Sequence, residues 1–307
     1  MTRITSNQIS TWQNLIVKSR KDTISTLCSR ALCSPWTVAT ACAARIDQLR
    51  LRPGEIVVPC DLHVMGKGPA PDRTSSRVGG LPYRPIALDW PHHVDGVPYR
   101  FFCQFDFSKS RDLFSGLPGD ILLVFTRDET LVDNVSDHLR FEWHPIDSAT
   151  KLVEQGDIPK YEWWNFIGYG FPCRTFDFLD ENAAQSAYYE LLGDSSIVDS
   201  TPDQSPGRFV GFKIGGLPSL WGQDPLDLRW GNAEGEMKSL GSDQCYLGGI
   251  GIIFPESTCP LPWLNRAAQY SMSEATSGDR CLNLYDGFYL HFWLSSNGRV
   301  QWVLCFM

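Results

Sequence analysis

The hexapeptide Arg77-Val78-Gly79-Gly80-Leu81-Pro82 returns further along the chain as Lys213-Ile214-Gly215-Gly216-Leu217-Pro218. Four of the six positions are identical, and the other two replace one cation by another and one β-branched residue by another. Paired glycines permit positive φ, and the proline that follows cannot donate to a strand ladder. The repeat therefore predicts two structural turns, each at the end of a strand, formed by Gly79, Gly80, Pro82, Gly215, Gly216 and Pro218.

The sequence on either side of these turns consists mainly of predicted strands. Runs rich in Phe, Val and Leu predict strands over residues 99–107, 120–127, 139–144, 208–214, 249–254, 287–294 and 299–306. Asn297-Gly298 separates the last two runs and predicts a hairpin. Helical patterns occur over residues 8–30, 36–50, 181–192 and 262–272. We therefore expect an α+β fold dominated by β-structure, with two intertwined pseudo-symmetric halves and an N-terminal helical arm.

Charge is distributed unevenly along the chain. The 307 residues include 27 Lys and Arg and 35 Asp and Glu, for a net charge of −8, yet basic side chains outnumber acidic ones in the first 50 residues. We expect a basic N-terminal helical arm over residues 1–52 and one domain over residues 53–307, built from related halves at about 70–194 and 205–306. The acidic body matches a basic protein partner, or it is a solvated surface that keeps the protein soluble.

Composition also excludes several classes of partner and cofactor. The acidic balance argues against a general nucleic-acid binder, and no apolar run approaches the ~20 residues that span a bilayer. The ten cysteines form no Cys-x-x-Cys pair, and no histidine follows at zinc-ligand spacing. Without a secretory signal pattern, we expect a cytoplasmic protein with reduced thiols, no cofactor and no metal.

Polar and aromatic side chains near the two turns are the candidates for a binding site. Trp90, His92, His93 and Asp95 lie in a predicted loop, and Gln104 and Asp106 share one face of a predicted strand. Trp221 and Asp224 follow the second turn. For each group a structural role is the alternative: exposed loop histidines, caps of a neighbouring turn, or core tryptophans. No serine-hydrolase elbow or zinc motif is present, so no catalytic residue is assigned.

The chain resembles the YwqG-like family, also called domain of unknown function DUF1963. The resemblance covers residues 70–306 and is carried by residues 76–83, Trp90-Pro91, Gly96-Val97-Pro98, and residues 101–106, 117–122, 139–145, 213–218 and 286–293. Arg77 stands where the family usually has lysine, and the second-half counterpart of the Gln104–Asp106 strand is not obvious.

The resemblance implies two intertwined, related halves and no agreed activity. Genes of this family often accompany toxin and immunity genes, which implies toxin neutralisation as one role. We therefore expect a protein-interaction protein, and the resemblance implies an immunity protein that binds a basic toxin through its acidic surface. The alternatives are a small-molecule or glycan binder that uses Trp90, His92 and Trp221, or an unrecognised hydrolase that uses the loop after the first turn.

Overall fold

The computed structural model describes residues 2–3, 56–67, 70–127, 139–160, 168–178, 212–218, 244–251 and 289–305. The predicted helices over 8–30, 36–50, 181–192 and 262–272 lie outside these residues, as do Trp221 and Asp224. In the described part of the chain, no helix has the length and apolar character that crossing a membrane requires.

Within the described residues the secondary structure is almost entirely β. The eleven strands are β1 (Thr2–Arg3), β2 (Ile56–Lys67), β3 (Arg77–Val78), β4 (Arg100–Asp106), β5 (Ile121–Thr126), β6 (Leu139–His144), β7 (Gly168–Phe178), β8 (Lys213–Gly215), β9 (Cys245–Ile250), β10 (Tyr289–Leu294) and β11 (Val300–Cys305). A short 3-10 turn over Arg111–Leu113 is the one helical element among these residues. The fold is therefore β-dominated, as the sequence predicts.

All of these strands pair antiparallel, in the order β11-β10-β9-β8-β2-β7-β3-β4-β5-β6, with β1 added to β2. The centre of the sheet is the β2–β7 ladder, which runs without interruption from the pair Val57–Phe178 to the pair Lys67–Gly168. The short strand β3 pairs with β7, and the short strand β8 pairs with β2. Both glycine turns are thereby attached to the central ladder.

The two central strands contain prolines that a sheet interior normally excludes. In β7, the Gly170 N–H donates to the Ser76 carbonyl next to β3, so Pro172, two residues on, directs its nitrogen to the same side. Strand β3 reaches only Gly168 and Tyr169 of β7, so the N–H that Pro172 lacks interrupts no ladder. Proline is tolerated here because the neighbouring strand has already ended.

The main core joins the two ends of the sheet. The Phe292 ring of β10 lies 5.4 Å from the Phe105 ring of β4 and 5.8 Å from the Phe141 ring of β6. Strands β10 and β6 are far apart in the strand order, so the sheet must curve until its two wings pack face to face. The first wing consists of β3–β6 and the second wing of β8–β11, one on each side of the central ladder. Burial of each large aromatic side chain in this core contributes roughly 2–3 kcal/mol.

A second, smaller core lies on the opposite face of β4 and β5. It contains Tyr83, Tyr99, Phe101, Ile121, Leu123 and Phe125. Trp90 and Leu152 pack against it, so the segments that follow β3 and β6 cover this face. The residues after the first glycine turn are therefore held on a buried aromatic platform.

Candidate functional site

The predicted loop after the first glycine turn is fastened to β4 by Gln104. The Gln104 carboxamide oxygen accepts the Tyr83 N–H at 2.7 Å, and its nitrogen lies within 3.1 Å of the carbonyls of Arg73, Thr74 and Ser75. The side chain is fully buried. The carboxamide oxygen and nitrogen of Gln104 thus both bind backbone groups around the turn.

Trp90 is held from three sides. Its indole N–H donates to the Tyr99 carbonyl at 2.6 Å, and its ring meets the Phe125 ring edge-on at 5.6 Å. The Arg84 guanidinium lies 5.5 Å from the ring centroid, within the range of a cation–π contact. Arg84 is in turn paired with Glu142, with Nε 2.7 Å from Oε2. Trp90 thus joins the loop to the small aromatic core.

The tip of the loop is held by His93 and Asp95. The Asp95 carboxylate accepts the Val97 N–H at 3.0 Å, lies 3.0 Å from His93 Nδ1 and 2.7 Å from the Arg127 guanidinium. The Val97 N–H, together with His93 and Arg127, lowers the pKa of Asp95. His93 is buried, whereas His92 is exposed with its Nδ1 2.7 Å from the Trp90 carbonyl.

Asp106 is buried at the end of β4, where it caps the next turn. Its Oδ1 accepts the Ser108 N–H at 3.0 Å, and its Oδ2 lies 3.4 Å from Lys109 Nζ. Burial raises the pKa of Asp106, although Ser108 and Lys109 oppose the shift. Asp106 and Gln104 both face backbone groups of this chain, so neither forms an open ligand site.

The two glycine turns have the same backbone conformation. Gly79 and Gly80 have φ of 63° and 71°, and Gly215 and Gly216 have φ of 72° and 78°. In both turns the preceding cation closes the loop: Arg77 donates to the Leu81 carbonyl at 2.8 Å, and Lys213 donates to the Leu217 carbonyl at 2.7 Å. The two prolines, Pro82 and Pro218, follow these carbonyls directly.

The two cations differ in their further partners. Lys213 is 2% exposed and lies 2.8 Å from the fully buried Asp177 carboxylate, which also accepts the Leu217 N–H. The Arg77 guanidinium instead donates to the backbone carbonyls of Asp72, Ser75 and Leu81. Burial, and to a lesser extent the nearby Arg73, lowers the pKa of Arg77 to about 10.

A further charged group, the central polar cluster, lies against the β2–β7 ladder and was not predicted from the sequence. It consists of Asp61, His63, Ser110, Asp112 and Arg174. The Arg174 guanidinium lies 2.7 Å from Asp61 and 2.8 Å from Asp112, and the Ser110 hydroxyl donates to Asp61 at 2.6 Å. Burial would lower the pKa of Arg174, but its two carboxylate partners raise it. The cluster fastens the segment after β4 across the central strands.

His63 is the member of this cluster without polar partners. It is buried, its two ring nitrogens accept or donate no hydrogen bond, and its ring packs 5.0 Å from Phe212. Burial and the positive charge of Lys109 lower the pKa of His63 to about 3; the nearby carbonyls of Asp61 and Phe212 oppose this without completing a hydrogen bond. His63 is therefore neutral at physiological pH.

Most of the strands and loops that carry these residues, though not β2, lie within the match to one sequence family. The model of a domain of unknown function, DUF1963, matches residues 76–254, which include both glycine turns and the loop between β3 and β4. The chain belongs to DUF1963. No curated protein matches the chain. The family assignment made from the two turns and the loop motifs is thus confirmed.

Several exposed side chains of the same loop in this DUF1963 protein are apolar. Four of its side chains, and one that follows β6, are large hydrophobic groups exposed to solvent: Ile86, Leu88, Val94, Val97 and Ile146. We call these five residues the loop surface. The two segments that carry it are adjacent, because the Ile86 N–H donates to the Lys151 carbonyl at 2.9 Å.

Exposed acidic residues outnumber exposed basic ones on the two segments of the DUF1963 protein that carry the loop surface. The exposed acids of these two segments are Asp89, Asp95, Asp147, Glu154 and Asp157, whereas the exposed bases are Lys151 and Lys160. Within the described residues no three His, Cys, Asp or Glu side chains are grouped as metal ligands. The two segments therefore expose both apolar and acidic side chains, and such a surface is suited to contact with another macromolecule.

Proposed function

We propose that this DUF1963 protein is a protein-interaction protein and that its partner binds the loop surface. The observation that carries the proposal is that, within one loop, some side chains hold the loop in place while others are exposed and hydrophobic. The side chains expected to bind a ligand, Trp90, His93 and Asp95, hold the loop in place. Large hydrophobic side chains of the same loop are exposed, and Val94 at the tip is 97% exposed.

The fixed shape of the loop supports binding of a partner. Hydrogen bonds join the His93 N–H to the Val97 carbonyl at 2.8 Å and the Tyr99 N–H to the Pro91 carbonyl at 2.9 Å, so the tip is closed on itself. A loop that is already ordered loses little conformational entropy when it binds. Exposed apolar side chains bordered by polar groups are typical of protein-binding surfaces.

The charge around the loop surface points to a basic partner. Acidic side chains predominate on the exposed parts of residues 86–97 and 145–157, and the whole chain carries a net charge of −8. Complementary charge at the border of an interface speeds association and discriminates against partners of like charge. Following the resemblance, we propose that the partner is a basic toxin and that this chain acts as its immunity protein.

We also propose that the sheet is built from two related halves, β2–β6 and β7–β11. Each strand of β2–β6 can be matched with the strand at the same position in β7–β11, so that β2 corresponds to β7, β3 to β8, and so on. Exchanging the corresponding strands gives the observed strand order read in reverse, and this two-fold relation supports the proposal. The ladders support it as well, because Arg77 pairs with Tyr169 of β7 and Lys213 pairs with Leu62 of β2. This division assigns β7 to the second half, whereas the sequence places residues 168–178 in the first.

Co-expression with the products of neighbouring genes tests the interaction. We expect one of them to be a basic protein that co-purifies with the chain and whose toxicity the chain relieves. The double variant Leu88→Arg, Val94→Arg should lose co-purification and rescue, because it places two positive charges on the loop surface. Ser115→Arg, an exposed site outside the loop surface, is the control and should bind like the wild type.

Two results would contradict the proposed function. The first is equal binding of the toxin by the wild type and the Leu88→Arg, Val94→Arg variant. The second is a small molecule that raises the melting temperature of the wild type but not of Trp90→Ala, which would favour the ligand-binding alternative. Turnover of an ester, phosphate or glycoside substrate that is lost in the same variant would favour the hydrolase alternative.

A further inference from the structure

Strand β6 lies at one end of the described sheet, and among the described residues it pairs on one side only. It pairs along its whole length with β5, from Ile121–His144 to Thr126–Leu139. No described residue pairs with its other side. In the part of the chain that the structure describes, no strand lies beside the backbone N–H and C=O groups on that side, and such groups can pair with another strand.

Strand β6 is much less buried than its neighbour β5. All six residues of β5 are buried, whereas Phe141, Glu142 and Trp143 of β6 are only half-buried and the Arg140 side chain is 50% exposed. Phe141 and Trp143 contact the main core on one side and remain open on the other. The core thus ends in two large aromatic side chains that a further strand would cover.

The edge also lacks the features that usually prevent strands from pairing. Strand β6 contains no proline or glycine, and its register against β5 has no shift, whereas the β4–β5 ladder has one between Phe101 and Cys103. Natural edge strands are commonly interrupted by proline, bulges or several charges. Six regular residues with one exposed charge leave this edge competent to pair.

The side chains of β6 are complementary to a second copy of the same strand. In an antiparallel pair centred on Phe141, Arg140 of each copy stands opposite Glu142 of the other, and Leu139 stands opposite Trp143. Opposite residues share one face of a sheet, so the charged pairs meet on one face and the apolar pairs on the other. Burial would raise the pKa of Glu142, but His144 and Arg84 lower it to about 2, so its carboxylate is ionised.

We propose that this protein forms a symmetric homodimer through its β6 edges, which joins two sheets into one continuous sheet across a two-fold axis at Phe141. A two-fold interface requires a surface that complements itself, and the order Leu-Arg-Phe-Glu-Trp does so in this one register. The occupant of the edge is therefore a second copy of this chain. The proposal does not depend on the loop surface or on the identity of its partner.

Sedimentation velocity over a range of protein concentrations tests the dimer. The wild type should shift from monomer to dimer as concentration rises. Arg140→Glu should weaken the dimer at least tenfold, because in each of the two Arg140–Glu142 pairs it places one carboxylate opposite another. Arg140→Ala should weaken the dimer less, because it removes the attraction without adding repulsion. Lys160→Glu, which changes the net charge equally at an exposed site outside β6, should leave the equilibrium unchanged.

Cysteine cross-linking under mild oxidation tests the register. Phe141→Cys places the new thiol next to its own copy on the axis and should give a disulfide-linked dimer, while Arg140→Cys faces Glu142 and should not. A wild type that stays monomeric at every concentration would overturn the proposal. So would a dimer that Arg140→Glu leaves intact, or equal cross-linking by both cysteine variants; if Phe141→Cys does not fold, the Arg140 series decides.

Discussion

At the scale of single residues, the second glycine turn leaves no room for a side chain. A Cβ on Gly216 would lie 2.2 Å from the Asp177 carboxylate and 2.8 Å from the Cys60 Cβ. The same carboxylate holds Lys213, so a side chain here would displace a buried ion pair. Gly96 also has positive φ, at 84°, but nothing lies within 4 Å of the position its Cβ would take.

We predict that Gly216→Ala destabilises the protein by several kcal/mol and Gly96→Ala by only about 1 kcal/mol. Both variants add the cost of a positive φ, of order 1–3 kcal/mol, but only Gly216→Ala also disrupts the Asp177–Lys213 pair. Urea midpoints with m-values will measure the difference. Equal midpoints for the two variants would refute the assignment of Gly216 as a packed turn.

His63 makes stability depend on pH. Its pKa is about 3 in the folded protein and about 6.5 in the unfolded chain, so the unfolded chain binds more protons between these values. Its contribution to stability is therefore complete above pH 6.5 and is lost as the pH falls towards 3, with a slope of up to about 1.4 kcal/mol per pH unit.

We predict that His63→Leu removes this slope. The free energy of unfolding of the wild type should fall between pH 7 and pH 5, and that of His63→Leu should fall less, because leucine has no proton to bind. At pH 7 the variant should be at least as stable, since it removes two buried nitrogens that lack partners. Parallel pH profiles of the two proteins would show that His63 is not buried in this way.

At the scale of elements, the central strand pair is locked to the segment after β4 by the central polar cluster. Arg174 on β7 connects the cluster, because it contacts both Asp61 on β2 and Asp112 in the 3-10 turn. Asp61 is 1% exposed, whereas the Asp112 side chain is 59% exposed. The two halves of this network should therefore contribute very differently to stability.

We predict that Arg174→Met lowers the free energy of unfolding by roughly 3 kcal/mol and Asp112→Ala by less than about 1 kcal/mol. The first change leaves the Asp61 carboxylate buried without its cation, while the second removes a partner that water can replace. Thermal and urea unfolding of both variants will measure these values. A larger loss in Asp112→Ala would contradict the assignment of Asp61–Arg174 as the buried pair.

The sequence predicts the outer strands well and misses the central ones. Strand β6 lies where the run of apolar residues predicts it, over residues 139–144, and the Asn297-Gly298 step does join β10 to β11. Strands β2 and β7 escape prediction because proline, glycine and charged residues interrupt them. Pro172 is tolerated because β3 ends beside it, and Asp61 is tolerated because it pairs with Arg174. Both reasons depend on the tertiary structure and cannot be deduced from the local sequence.

The same reasoning applies to the candidate site. The sequence shows which residue types the loop after the first turn contains, but not which of their side chains face solvent. In the structure, Trp90, His93 and Asp95 contact the chain's own backbone and side chains. Asp61 and His63 stand two residues apart on β2, a spacing that would have placed them on one face had the strand been recognised. The contact of Asp61 with Arg174 depends on pairing between β2 and β7, which are far apart in sequence.

At the scale of the whole molecule, the order of the strands makes the two wings of the sheet interdependent. The turn of the first wing is attached to β7, and the turn of the second wing is attached to β2. Phe292 of the second wing also packs against Phe105 of the first. Neither wing can be removed without exposing the core of the other, so we expect the chain to unfold as one cooperative unit.

Native-state hydrogen exchange on the wild type and Gly216→Ala measures whether the two halves of the sheet unfold together. Gly216 lies in the second wing, next to the central ladder. If the halves are intertwined, the variant should lower the exchange free energies of the slowest amides in β4 and β5 by the same amount as those in β9 and β10. A loss of protection confined to β8–β11, with β4 and β5 unchanged, would show two independent units and contradict the account.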